Sequence, residues 1–304
     1  MALRWRGRRS RRPEAQGAPA PRAQEAPAPR AQGSQAPDDI RVRLLGVDEE
    51  LRPLFAEALR LRAAAGDKGA TAALSMLLAD ADIPALTRAA EHDEGDGGAA
   101  YLLALALNAQ GKEQDGERWL RRAAERGEPD AAYDLAALLL RRDQQQEAEP
   151  WLRQAAQSGN HIAAAILGML LVTADRLREA EPFVDQAARA GEAPPAAELG
   201  RRHGLAGDLR QAEVWYRKAA TAGDPAAANK VGQLLANRGA RAEAETWFRR
   251  SAEAGHAEGA NNYAVLLYQR DGDTREVLRW LQVAAKGGIP DAKNNIAKIR
   301  ATLE

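Results

Sequence analysis

Along residues 98–304 the apolar positions recur with a fixed step. Tryptophans stand at 119, 151, 215, 247 and 280, and Phe183 fills the missing place, giving spacings of 32, 32, 32, 32 and 33. One residue after each aromatic comes Leu120, Leu152, Val184, Tyr216, Phe248 or Leu281. Four and five residues after it come small side chains, as in Ala123–Ala124 and Ser251–Ala252. Eight residues after it a glycine stands every time, at 127, 159, 191, 223, 255 and 288. In the fourth unit Ala212, Trp215, Tyr216, Ala219 and Ala220 fall at i, i+3, i+4, i+7 and i+8, one apolar face of a helix. The glycine ends that helix as a C′ residue, where a left-handed backbone is cheapest without a Cβ.

Another helix follows each glycine and opens the next pair. Asp224-Pro225, Glu128-Pro129 and Ile289-Pro290 place proline in its first turn. Its apolar face carries Leu135, Leu167, Leu199, Val231, Tyr263 and Ile296, each followed by alanine or glycine, so two helix axes can approach closely. Polar links such as Leu205-Ala206-Gly207-Asp208 join that helix to the next aromatic one. A single helix pair leaves an apolar flank bare, and only stacking of pairs makes a core.

This frame resembles tetratricopeptide repeats, and more closely their alanine-rich relatives, the Sel-one-like repeats. The matching residues are the Val231–Gly232 step, the inner Ala244, Phe248 beside Trp247, and the Ser251-Ala252-Glu253-Ala254-Gly255 turn. The resemblance covers about residues 98–304 and implies an all-α, right-handed superhelical α-solenoid of six helix pairs and a last helix. The period of 32 is shorter than the family's unit, and Gly116 and Val277 replace the inner alanine in the first and last pairs. Residues 40–97 read as atypical capping helices, with Leu61–Ala65 and Ala72-Ala73 as traces of a degenerate unit. Ile289–Glu304 reads as a closing helix with a polar outer face formed by Lys293, Lys298, Arg300 and Glu304.

Charge adds a tail to this picture. The chain has 43 basic and 43 acidic residues and no cysteine, which excludes disulfides, thiolate metal sites and cysteine nucleophiles. Residues 1–36 hold eight arginines against Glu14 and Glu25, and the remainder is correspondingly acidic. APAPRAQ occurs at Ala18–Gln24 and again at Ala26–Gln32. Residues 1–39 therefore read as a disordered tail with nothing to bury. Its arginine cluster from Arg4 to Arg12, with Trp5, is the one feature suited to nucleic acid or anionic lipid. The longest apolar run, around Ala163–Val172, is far short of the roughly 20 residues a membrane helix needs. No apolar stretch follows the N-terminal arginines, so a cytoplasmic location is expected. Seven lysines beside abundant alanine and arginine suit a GC-rich bacterial genome.

No catalytic constellation stands out. The four histidines, at 92, 161, 203 and 256, belong to no metal or triad motif. His203 takes a place where sister units carry leucine, which reads as packing. Glu179/Glu181 and Glu243/Glu245 read as solvated helix faces, and the tryptophans as core or inter-repeat packing. No cofactor and no enzyme activity are expected.

In tetratricopeptide-like solenoids the first helix of each pair lines a concave groove that takes peptides or partner helices. Carried over by position, the resemblance selects Tyr133, Arg201, Asn229, Gln233, Asn237, Asn261, Gln269, Asn294 and Lys298. Asn229, Gln233 and Asn237 share one helix face, and Asn261 and Asn294 repeat Asn229 in the next two units. Amides offer an extended peptide both donor and acceptor, and Arg201 or Lys298 suits a carboxylate. The expected function is a non-catalytic protein-interaction scaffold with a protein or peptide in the groove. The alternative is a nucleic-acid-associated repeat protein tethered through its arginine tail. Bare solenoid ends also make a homo-oligomer compatible with the pattern.

Overall fold

The computed structural model describes residues 77–79, 81–92 and 97–301. The expected tail, most of the expected capping region and the degenerate unit at residues 61–73 lie outside them. The described residues fall into two compact units that divide between Asn160 and His161.

The first unit holds α1 (Ile83–His92), α2 (Gly98–Ala109), α3 (Glu113–Glu125), α4 (Pro129–Arg141) and α5 (Gln145–Gln157). The second holds α6 (His161–Thr173), α7 (Leu177–Arg189), α8 (Pro194–Leu205), α9 (Leu209–Thr221), α10 (Pro225–Asn237), α11 (Arg241–Glu253), α12 (Ala257–Gln269), α13 (Thr274–Lys286) and α14 (Pro290–Ala301). From α2 onward these are six helix-turn-helix pairs and a final helix, as the spacing predicts, and no strand occurs among the described residues.

Both kinds of turn close the same way. All six predicted glycines adopt positive φ, from 84° at Gly255 to 105° at Gly223. The following residue returns its N–H to the helix five residues back, as Asp224 does to Ala219 and His256 to Ser251. This is the Schellman arrangement, which satisfies carbonyls that the helix end leaves bare. The link inside each pair uses it too, at positions 111, 143, 175, 207, 239 and 271. There Gly111, Gly207 and Gly239 alternate irregularly with Asp143, Asp175 and Asp271, whose φ values are near 60°. Side-chain caps start several helices: Asp224 accepts from the N–H groups of Ala226 and Ala227, and Asp208 from that of Gln211.

The core repeats with the turns. Leu139 in α4 is buried, and so are Leu171, Leu235 and Leu267 at the same place of the period in α6, α10 and α12. The predicted close approach of the two helices of a pair is present. A Cβ built on Gly232 would lie 2.6 Å from the Phe248 ring, and one on Gly168 2.9 Å from Val184. Phe183, Trp215 and Trp280 are buried, and Tyr263 meets Trp280 edge-on at 5.7 Å. Trp119, Trp151 and Trp247 are only half-buried. A cation covers two of these: Arg122 lies over Trp119 at 4.9 Å and Arg217 over Trp247 at 5.4 Å.

Candidate partner-binding face

Eight of the nine candidate residues belong to the second unit, on the first helices of its pairs and on α14; Tyr133 belongs to α4 in the first unit and is half-buried. Within the second unit the amides that look alike in sequence have three different fates.

Asn229 is fully buried. Its Oδ1 accepts from Asn262 Nδ2 at 2.9 Å, and its Nδ2 donates to Glu258 Oε2 at 3.2 Å. It joins α10 to α12 and is not available to read a ligand. Asn261 is half-buried, and its Oδ1 is buried without a hydrogen-bond partner. Asn294, on the last helix, is exposed. The expected stripe Asn229/Asn261/Asn294 is therefore not one continuous ligand-facing row. The sequence pattern does not reveal Glu258 or Asn262, the two partners that hold Asn229 in the joint.

The first unit uses the same joint with different chemistry. Tyr101 Oη on α2 donates to Asp134 Oδ2 on α4 at 2.7 Å. Tyr101 and Asn229 hold the same place in their repeats, and Asp134 matches Asn262. Burial pushes the Asp134 carboxyl above its ordinary value, and the Tyr101 hydroxyl offsets part of that shift.

One turn further along the first helices, the side chains stay open. Gln233 is half-buried and accepts from Lys230 Nζ at 3.4 Å, while Asn237, Gln269 and Lys298 are exposed. Arg201 is exposed as well, but its fork already grips Glu198, with Nε and Nη2 donating at 2.7 and 2.6 Å. These bonds hold the Glu198 carboxylate below its ordinary range. A ligand carboxylate at Arg201 has to displace Glu198.

A second inter-repeat joint lies on the other helices. Glu213 accepts from Arg238 at 2.7 Å, and Glu245 pairs with Arg270 at 3.0 Å. In the first unit Glu117 accepts from Arg142 at 2.8 Å. The separation is 25 residues each time, and Arg217 and Arg238 also pair with Glu243. Glu243 and Glu245 are thus inter-helix ion-pair partners and not merely a solvated face.

Three of the four histidines have places in the helix framework, and His92 ends α1 exposed. His256 caps α12, its Nδ1 accepting from the Gly259 N–H at 3.2 Å. His161 begins α6, 4.0 Å from Glu192, and His203 sits in the leucine slot of α8 with Nε2 buried and unpartnered. Among the described residues no three of His, Asp and Glu gather as metal ligands, and no helix is long and apolar enough to cross a membrane.

Paired helices, a small residue at each crossing and side-chain joints repeated between neighbouring pairs decide the architecture. The fold is a tetratricopeptide-like α-solenoid. No protein-family model matches the sequence, and no curated protein matches it. Among solved structures, the chain is similar to a protective antigen of uropathogenic Escherichia coli strains with an SLR fold. The identity there is 20%, over 82% of this chain and 68% of that one, with a TM-score of 0.45. A Sel1 repeat protein from Oxalobacter formigenes is 19% identical over 67% of this chain and 98% of that one, with a TM-score of 0.42. YrrB, a tetratricopeptide repeat protein with an unusual peptide-binding site, is 21% identical over 67% of this chain and 93% of that one, with a TM-score of 0.33. Likenesses this distant carry no weight for function; the solenoid stands on the chain's own helices.

Proposed function

We propose that this chain is a non-catalytic protein-interaction scaffold that takes an extended peptide or a partner helix along the first helices of its repeats. One observation supports the reading. In the second unit the polar side chains one turn beyond the buried joint, Asn237, Gln269 and Lys298, are exposed. Meanwhile the alanine and leucine positions beneath them are filled. An array of such side chains suits distributed contacts to a peptide backbone, with affinities of micromolar order, about −8 kcal/mol.

The test is a pull-down from native lysate with the full chain beside a triple variant, Asn237→Ala/Gln269→Ala/Lys298→Ala, whose helicity is checked by circular dichroism. Asn229 is left intact because replacing it loosens the joint itself. A protein retained by the wild type and lost by the folded variant supports the groove. Retention by both places binding elsewhere on the chain. A third arm, the chain without residues 1–36, detects binding that depends on the arginine tail and would transfer the function there.

A further inference from the structure

Several of the devices that hold neighbouring repeats together are weakened together at the helix α8 and the turn that follows it. In α4, α6, α10 and α12 the same core slot is a leucine no more than 1% exposed. In α8 that slot is His203, whose Nε2 is buried with no hydrogen-bond partner. A sequestered polar atom without a partner is expensive compared with the leucine it replaces.

The helix is also locally poor. Its sequence, PPAAELGRRHGL, carries two glycines, and Ala193 at its N-cap provides no side-chain cap. The caps on α10 and α12, by contrast, are Asp224 and His256. Gly200 is demanded by packing, because a Cβ there would lie 3.0 Å from the Tyr216 ring. Gly204 is not: the nearest atom to a Cβ at that place is 3.8 Å away. It lowers helix propensity with no packing return.

The ionic joint is missing here too. The separation of 25 residues that pairs Glu213 with Arg238 and Glu245 with Arg270 sets Glu181 against Ala206. The pair that α8 itself makes to the preceding repeat is Arg202 to Asp175 at 3.9 Å, with the Asp175 side chain 79% exposed, while Lys218 on α9 reaches Asp185 on α7 at 2.6 Å without engaging α8. Leu205 and Leu209, on either side of the turn, are 74% and 57% exposed, so neither adds apolar burial. The α8 helix is formed nonetheless: Ala196 and Leu199 are fully buried, and Glu198 ties down both Arg201 and Arg202.

We infer that α8 is a built-in hinge of the second unit, the helix that opens first, well below global unfolding. Repeat arrays hold only nearest-neighbour contacts, so a weak element opens without dragging distant repeats with it. Opening α8 releases Arg201 and uncovers the Tyr216 ring, and the array yields at that repeat.

Hydrogen exchange of the full chain, read by mass spectrometry, tests it. Corrected for intrinsic rates, amides of α8 are expected to exchange about tenfold or more faster than those of α10 and α12. His203→Leu is expected to slow α8 exchange by about tenfold, and Gly204→Ala by about threefold, with α12 unchanged in both. The two variants act by different means, so a misfolded His203→Leu chain leaves Gly204→Ala to decide. Protection of α8 equal to that of α10 and α12 in the wild type overturns the hinge. So does an α8 rate that neither folded variant slows.

Discussion

Asn262 Nδ2 donates to Asn229 Oδ1 at 2.9 Å, joining the first helices of two successive repeats. Because Asn229 is fully buried and also donates to Glu258, removing its amide breaks two inter-repeat hydrogen bonds at once and leaves a buried gap. Asn229→Ala is expected to cost about 1–3 kcal/mol, read as a lower urea midpoint with unchanged slope. Asn294→Ala, at the matching but exposed place, is expected to stay within about 0.5 kcal/mol of wild type. Equal effects of the two changes would show that the joint carries no stability.

The turn aspartates offer a backbone test. Asp175 holds φ near 59° at a place where Gly207 and Gly239 hold 83° and 86°. Asp175→Ala is expected to cost about 1 kcal/mol, since alanine resists the left-handed region more than aspartate does. Asp175→Gly is expected to be neutral or stabilising. Thermal unfolding of both variants checks the order Gly ≥ Asp > Ala.

Asp134 sets a pH dependence whose direction follows from burial. Its carboxyl keeps its proton to a higher pH in the folded chain than in the unfolded one. Between those two values the native state binds more protons, so this group's contribution to stability falls as pH rises through the window just above 3.8. Asp134→Asn retains an acceptor for Tyr101 and removes the charge. The variant is expected to match or exceed wild-type stability at pH 7 and to lose that part of the pH slope. A clear drop at neutral pH would mean that the ionised carboxylate is worth more to Tyr101 than its burial costs.

Gly232 marks the tightest glycine-to-aromatic crossing in the second unit. Its added methyl group would meet the Phe248 ring at 2.6 Å. Gly232→Ala is expected to cost about 1–3 kcal/mol through overpacking, and Gly232→Ala/Phe248→Leu to recover part of it. Denaturant unfolding of single and double variants measures that coupling.

Glu213 anchors an ion-pair network, accepting from Arg217 at 2.8 Å and Arg238 at 2.7 Å with its side chain only 13% exposed. Glu213→Gln is expected to cost about 1–2 kcal/mol at low salt. Asp115→Asn, which loosens an exposed pair with Arg118, is expected to cost almost nothing. Stability measured at low and high salt separates the two, because the half-buried network is screened less.

Much of the fold was legible because its signals are local. A glycine eight residues after each aromatic predicts a helix end, and each of the six has positive φ. The alternation of Asp143, Asp175 and Asp271 with glycines at a step of 32 was equally present in the sequence and was passed over. Aspartate seldom advertises a left-handed turn, so only the backbone angles brought it out. The 25-residue pairing of Glu117 with Arg142, Glu213 with Arg238 and Glu245 with Arg270 escaped for another reason. It crosses from one repeat to the next, and no single helix face displays it.

By itself the sequence determined the period, the helix ends, the small residues at the crossings and the leucine slots. Each of these depends on backbone conformation or helical spacing within a few residues. Only the tertiary structure decided which amides bind neighbours and which face solvent. Asn229, Asn261 and Asn294 hold one register and read identically. Asn229 is sealed because the next repeat sets Asn262 and Glu258 against it. Asn261 finds no such donor for its Oδ1, and Asn294 lies on the last described helix with its side chain exposed. A polar side chain's role is set by what is packed opposite it, and in a repeat array that partner comes from the neighbouring unit.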